Sequence, residues 1–374
     1  MKPTIKVFDG KSFYKEVLKP HGVTDIKSVD FATVPFREEF DAFKRFGNAA
    51  EFFNDVVPVL HDFVRQRSQL FTLDMIPKSY FANESIIVTE QFAKQACISF
   101  LSKRSKKHSL PQARLVLQTL AKFHAASYVL LQDVQVRESF LQKFDAEDDI
   151  AEEATEATFW EAEFALCREI LQHYPAEGTD LAEATLESLK GQLVSKIYSC
   201  FNRDNLTLGY VLCHGDFQSH NLMLLDDEKT EGNQHTVFIN YEACRVCSPN
   251  VDIGFYLFNS VQQEVRSHHW KNLLRCYYEY FETFVVLLGG TLEFTFEELL
   301  DDFKDKCVPG FYNAIFQFLT AEGVQGLVDL DLRNSDQTLF AKWAQRNSVR
   351  ASKIAIEVGK LFLDFERIID NCQS

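Results

Sequence analysis

The stretch His214-Gly215-Asp216-Phe217-Gln218-Ser219-His220-Asn221 constrains this chain more than any other. Apolar runs bracket it, Tyr210-Val211-Leu212-Cys213 before and Leu222-Met223-Leu224-Leu225 after. A further apolar segment, Thr236-Val237-Phe238-Ile239, ends at Asn240-Tyr241-Glu242. Short apolar and β-branched runs bounded by turn residues read as strands. The chain must therefore fold so that Asp216 and, five residues later, Asn221 share one loop, with an apolar strand close behind. A His-Gly-Asp triplet alone reads equally well as a plain turn, because Gly and Asp are turn residues. The Asp-to-Asn spacing, the flanking runs and the following Ser248-Pro249-Asn250-Val251-Asp252 favour a functional loop.

An Asp and an Asn at this spacing suit phosphoryl transfer of the protein-kinase type. The Asp takes or orients the proton of the attacking hydroxyl, and the Asn oxygen binds a metal ion. A second metal-binding Asp normally ends the following strand. Asn240 holds that place here, keeping an oxygen acceptor but supplying no negative charge.

Composition narrows the classes. The 374 residues fit one large two-lobed domain or two ordinary ones. With 46% hydrophobic and 25% charged residues, the chain is globular and can bury a core. A net charge of −15 argues against nucleic acid, whose phosphates demand a basic surface. The 35 Phe are expected mainly as core packing, though a surplus suits an apolar ligand pocket equally well. The start lacks the apolar stretch of a signal peptide, and no run is long enough to span a membrane. Nine Cys in a chain this long do not form a disulfide scaffold. The lone Cys244-Arg245-Val246-Cys247 is a weak metal or redox signal. A cytoplasmic protein without membrane or nucleic-acid partners is expected.

Taken in order, residues 1–92 read as a small lobe of strands with one main helix. Phe40, Phe43, Phe46, Phe53 and Val57 fall at helical spacing between Arg37 and Leu60, with Pro58 near the end. Ser85-Ile86-Ile87-Val88-Thr89 reads as a strand, and Glu90-Gln91-Phe92 as a hinge. Residues 93–374 read as a larger helical lobe. Pro111 opens a helix to about Leu131. On it His124 is expected to be a hydrogen-bonded core residue rather than a ligand. The acidic residues 145–163 open another helix and are expected at the surface. Helices continue from about Gln262 to the end.

Val211 to Phe258 resembles the ecdysteroid-kinase-like, or CHK-kinase-like, family, related to choline kinases and aminoglycoside phosphotransferases. The resemblance rests on His214-Gly215-Asp216, Asn221, Asn240-Tyr241-Glu242, Ser248-Pro249 and Asp252. Leu120-Ala121-Lys122-Phe123-His124-Ala125-Ala126-Ser127 and Phe52-Phe53-Asn54-Asp55-Val56-Val57-Pro58 add to it. The resemblance implies an α+β, bilobed protein-kinase-like fold, with a small strand-rich N-lobe and a large helical C-lobe. It implies ATP and Mg2+ as cofactors and a small hydroxylated, ecdysteroid-like molecule as substrate.

By the same resemblance Asp216 and His214 are catalytic, and Asn221, Asn240 and Glu242 are metal-side residues. Glu90, Phe92 and Gly10 lie on the cofactor side, and Asp252 supports the His214 loop. Strand alternation would put Glu242 on the side of Asn240 if the strand continues there. The family's phosphate-binding Lys and its partner Glu align with Ala32 and Ala49. Two readings stay open: a small-molecule kinase with an unusual metal site, and a pseudokinase that binds ligand without catalysis.

Overall fold

The structure is a computed structural model, and it describes residues 47–83, 86–90, 107–144, 153–202, 206–226, 234–324, 327 and 339–371. Gly10, Ala32 and Phe92 lie outside the described residues. So do most of the expected small lobe and part of the expected hinge.

The chain is helical from 47 to 67. A π-helical turn, Phe52–Val56, leads into α1, Val57–Arg67. The helix was expected to stop near Pro58. Instead the helix runs on past Pro58, which follows a π-helical turn in which Val57 N–H donates to the Phe52 carbonyl. The π-turn before it absorbs the change of register. Strands β1 (Ser79–Ala82) and β2 (Ile87–Thr89) pair antiparallel after it.

The rest is dominated by helices. Helix α2, Leu110–Leu130, begins with a capping box: Ser109 N–H donates to Gln112 Oε1 at 3.0 Å. Asp133 caps α3, Val134–Lys143, by accepting from the N–H groups of Gln135 and Val136. Helices α4 (Glu153–His173), α5 (Thr179–Leu189) and α6 (Leu193–Phe201) follow. The acidic opening of α4 is not wholly superficial. Glu163 is buried and accepts from the Tyr312 hydroxyl at 2.7 Å, so a carboxylate in the core keeps a partner.

Four short strands frame the loop. β3 (Val211–Cys213) pairs antiparallel with β6 (Arg245–Cys247). β4 (Leu222–Asp226) pairs antiparallel with β5 (Gln234–Phe238). Behind them lies α7, Pro249–Ser260, buried along its whole length. Helices α8 (Gln263–Leu287), α9 (Phe296–Lys306), α10 (Val308–Ala321), α11 (Leu339–Arg346) and α12 (Ser348–Asn371) complete the fold. α2 packs along α8 through the pairs His124–Tyr277 and Tyr128–Phe281. α7 and α10 approach so closely that a Cβ at Gly310 would lie 2.3 Å from the Gly254 backbone.

The α+β organisation is the expected one, with a strand pair preceding a large helical part. Among the described residues no helix is long and apolar enough to cross a membrane. The described Phe side chains are mostly core. Phe123, Phe217, Phe238, Phe281 and Phe311 are fully buried and packed on one another or on Tyr rings.

Candidate functional site

The loop leaves β3 at Cys213 and is anchored from below by Asp252 in the first turn of α7. Asp252 is fully buried. Its Oδ2 accepts from His214 N–H at 2.7 Å, and its Oδ1 from Gly215 N–H at 2.9 Å. His124 lies 3.2 Å from the same carboxylate through Nε2, and its Nδ1 meets the Tyr277 hydroxyl at 2.9 Å. The buried group formed by His124, Cys213 and Asp252 is thus satisfied by hydrogen bonds without an ion.

Gly215 is required on two counts. Its φ is +81°, and a Cβ there would lie 1.8 Å from the Ala243 carbonyl oxygen. The next residue, Asp216, is where the loop emerges. Its side chain is 28% exposed.

Both oxygens of Asp216 already have donors. Gln218 Nε2 donates to Oδ1. Asn221 Nδ2 donates to Oδ2 at 2.7 Å and to the Asp216 carbonyl at 2.8 Å. His220 Nε2 lies 3.5 Å from Oδ2. Burial pushes the Asp216 carboxyl up, but His220 and Gln218 outweigh it and hold the group below the usual carboxylate range.

His214 is not placed as a proton carrier. Its ring is fully buried. Nε2–H donates to the Ile239 carbonyl at 2.9 Å, and Nδ1 accepts from Asp216 N–H at 3.4 Å, which assigns the tautomer. Burial lowers its pKa, favouring the neutral ring. The residue fastens the loop to the end of β5; both nitrogens are engaged, so the catalytic role expected for it does not fit.

Asn221 and Asn240 meet. Ile239 N–H donates to the Asn221 carbonyl at 3.0 Å, bringing the segment after β5 over the loop. Asn240 Nδ2 then faces Asn221 Oδ1 at 3.4 Å. The orientation is fixed by chemistry: Asn221 must turn its NH2 to the acceptor-only carboxylate of Asp216, leaving its oxygen toward Asn240. Asn240 has φ 66° and ψ 68°, the single non-glycine residue with positive φ among the described residues. β5 ends at Phe238, and Tyr241–Ala243 is a 3-10 turn. The strand does not continue to Glu242, so alternation gives no ground for placing that side chain beside Asn240.

Glu90 does not reach toward this loop through its recorded partners. Its Oε1 accepts from Lys78 N–H at 2.7 Å and its own N–H donates to the Lys78 carbonyl at 2.9 Å. It clamps the open end of the β1–β2 pair. Ala49 is buried, at 1% exposure, in the helical stretch before the π-turn. That stretch touches the site through Asn48, which donates to the Glu242 carbonyl at 3.3 Å, and through Phe52, stacked 3.9 Å from Tyr241. A cavity of about 420 Å³ opens against it, between Gly47, Glu51, Asn54 and Asn83.

These groups are a poor fit for a resident magnesium ion. Magnesium asks for carboxylate, phosphate and water oxygens. Here the Asn221 oxygen meets an amide donor, Asn240 adds no charge, and the Asp216 oxygens serve the chain's own donors. Sequence reasoning passed over His220 and Gln218. The bend at Gly215–Asp216 and the 3-10 turn Ser219–Asn221 bring both side chains back to Asp216, an arrangement that no local sequence period signals.

No curated protein matches the chain. Among solved structures it is similar to a Plasmodium vivax ethanolamine kinase, with 15% identity and a TM-score of 0.36 over 84% of this chain and 73% of that one. It is similar to the aminoglycoside phosphotransferase APH(2'')-IIa, solved with streptomycin and ATP, with 13% identity and a TM-score of 0.40 over 88% and 98%. A choline kinase of Cryptosporidium parvum gives 13% identity and a TM-score of 0.36 over 86% and 82%. These likenesses are remote and lend no weight to a particular chemistry. The profile of the ecdysteroid kinase-like family matches residues 26–290, more than half of the chain. The chain belongs to the ecdysteroid kinase-like family.

Proposed function

We propose that this protein is a small-molecule phosphotransferase-family member that binds a hydroxylated ligand at the Asp216 loop. Phosphoryl transfer from ATP is absent or much weakened. The observation that carries the reading is the Asn240 amide facing the Asn221 oxygen. Phosphoryl transfer depends on positioning and on metal ions that neutralise developing charge. A pair of neutral amides bonded to each other supplies no negative ligand, and the Asn221 oxygen is already engaged by the Asn240 amide. The ligand is a small alcohol, amino-alcohol or sterol-like, in a protein divided near residue 92 into a nucleotide-side and a ligand-side lobe.

The test is a transfer assay with ATP, magnesium and a panel of amino-alcohols and steroid alcohols. It compares the wild type with Asn240→Asp. Asp tolerates left-handed backbone about as well as Asn, so the variant should fold. The expected result is little or no turnover by the wild type. Magnesium should raise the Tm of Asn240→Asp and not that of the wild type. Catalytic groups act as a unit, so measurable turnover is expected first in the triple variant with Ala32→Lys and Ala49→Glu. Ala49 is buried, so a Glu there needs a cationic partner. Brisk turnover by the unmodified protein would defeat the reading.

A further inference from the structure

Where α7 ends against α10, two amide oxygens are satisfied by no described residue. Asn259, in the last turn of α7, is 6% exposed. Its Nδ2 donates to the carbonyls of Phe255 and Gly310, each at 2.9 Å. Those two acceptors fix the orientation of the amide, so Oδ1 is its unpaired end, without a hydrogen-bond partner among the described residues. The Oδ1 of Asn313 on α10 is buried and unpartnered in the same way. The two asparagines share one corner. A helix carbonyl points along the axis toward the residue four positions on, so a group bonded to the Gly310 carbonyl lies beside residues 313 and 314. Most buried polar atoms of a folded chain find partners, and an acceptor left without one is costly.

This corner adjoins the candidate site. Ser260, next to Asn259, accepts from Ser219 N–H through Oγ at 2.7 Å, and Ser219 belongs to the Asp216 loop. Lys107, an exposed residue, donates from Nζ to the Asn259 carbonyl. Two unpaired acceptors therefore stand beside a cation. A ligand hydroxyl can donate to an amide oxygen and also accept from an ammonium. A ligand ammonium can only donate, and it stands against like charge.

We propose that Asn259 and Asn313 form a second acceptor site for the ligand, taking a hydroxyl other than the one presented to the Asp216 loop. The inference rests on the reading above that a hydroxylated ligand meets this loop, and it deepens that reading. The corner sets specificity: it selects a neutral second hydroxyl over an ammonium at the far end of the ligand. Lys107 supplies the charge that turns the ammonium away. No bond is made or broken here, and the two asparagines are binding residues only.

The test titrates the full chain by calorimetry with three matched series: n-alkanols, α,ω-alkanediols and α,ω-amino alcohols, from hexyl to dodecyl. At the chain length that spans loop and corner, the diol should bind about tenfold more tightly than the alkanol, the effect of one hydrogen bond to an otherwise unpaired acceptor. The amino alcohol should bind no better than the alkanol. Asn313→Leu should erase the advantage of the diol and leave the urea midpoint of the free chain unchanged or higher, since it removes an unpaired oxygen. An asparagine with a purely structural role would lower the midpoint and leave the diol its advantage. A diol advantage that survives Asn313→Leu would overturn the proposal, as would an amino alcohol preferred to the diol. Should Asn313→Leu not fold, Lys107→Met decides. It should improve binding of the amino alcohol relative to the diol, and an unchanged ratio overturns the proposal. Alkanols and diols that bind the wild type equally well at every length would sink this inference and keep the reading it rests on. No binding by any series would sink both.

Discussion

Asn240 makes two features of the loop follow from one residue. Its left-handed backbone turns the chain out of β5, a conformation in which Asn and Asp are enriched. Its amide then closes on Asn221. The neighbouring Tyr241 has its hydroxyl buried without a hydrogen-bond partner among the described residues. The ring packs well, stacked on Phe52 at 3.9 Å and 5.0 Å from His214. The oxygen is therefore a cost with no recorded return, and burial pushes its pKa well up. Tyr241→Phe keeps the ring and removes the orphan. It should be neutral to stabilising, by up to about 1–2 kcal/mol, seen as a higher midpoint in urea at unchanged m.

At the scale of elements, the loop is a junction of β3, β5 and α7, and α7 is in turn tied to the segment entering α2. His108 forms an isolated bridge with Val261, its N–H donates to the Ser260 carbonyl at 2.7 Å, and its Nδ1 meets the Tyr256 hydroxyl at 2.9 Å. Burial, and then the nearby charge of Lys107, lowers the His108 pKa from 6.5 to about 4. The unfolded chain therefore binds the extra proton first as pH falls. The stability associated with neutral His108 is whole above about pH 6.5 and is lost progressively toward pH 4, by at most about 3 kcal/mol. Urea midpoints at pH 7 and pH 4.5 should differ more in the wild type than in His108→Asn, which keeps polar atoms but does not titrate. Equal slopes in the two proteins would remove His108 as the cause.

Across the whole molecule, the parts legible in the sequence were those set by local chemistry. Pro111, the apolar runs at 211–213 and 222–225, and the turn at Gly215 each announce their element in a few residues. What escaped depends on partners distant in sequence. The π-turn that carries the helix past Pro58 answers packing of Phe52 on Tyr241, nearly two hundred residues away. The engagement of both His214 nitrogens requires Ile239 to cross the loop. The same limit hid the bond that ties the helical part together, Arg266 on α8 with Asp364 on α12. Nε and Nη2 of Arg266 donate to Asp364 Oδ2 at 3.0 and 2.7 Å, and Ser267 donates to Oδ1. Nη1 reaches the carbonyls of Leu257 and Phe258 at 3.4 Å each, so α7, α8 and α12 meet at one guanidinium. Both charged side chains are buried, at 4% and 1% exposure, and burial depresses the Arg266 pKa against the pull of Asp364. Asp364→Ala would strand that cation in the core and should cost about 3–5 kcal/mol in urea unfolding. Replacing both partners by apolar residues, Arg266→Met with Asp364→Leu, should recover most of that loss, since the penalty lies in the unpaired charge rather than in the missing attraction. If the double replacement is as unstable as Asp364→Ala, the contacts of Arg266 with the α7 carbonyls, and not its charge balance, hold the three helices in register.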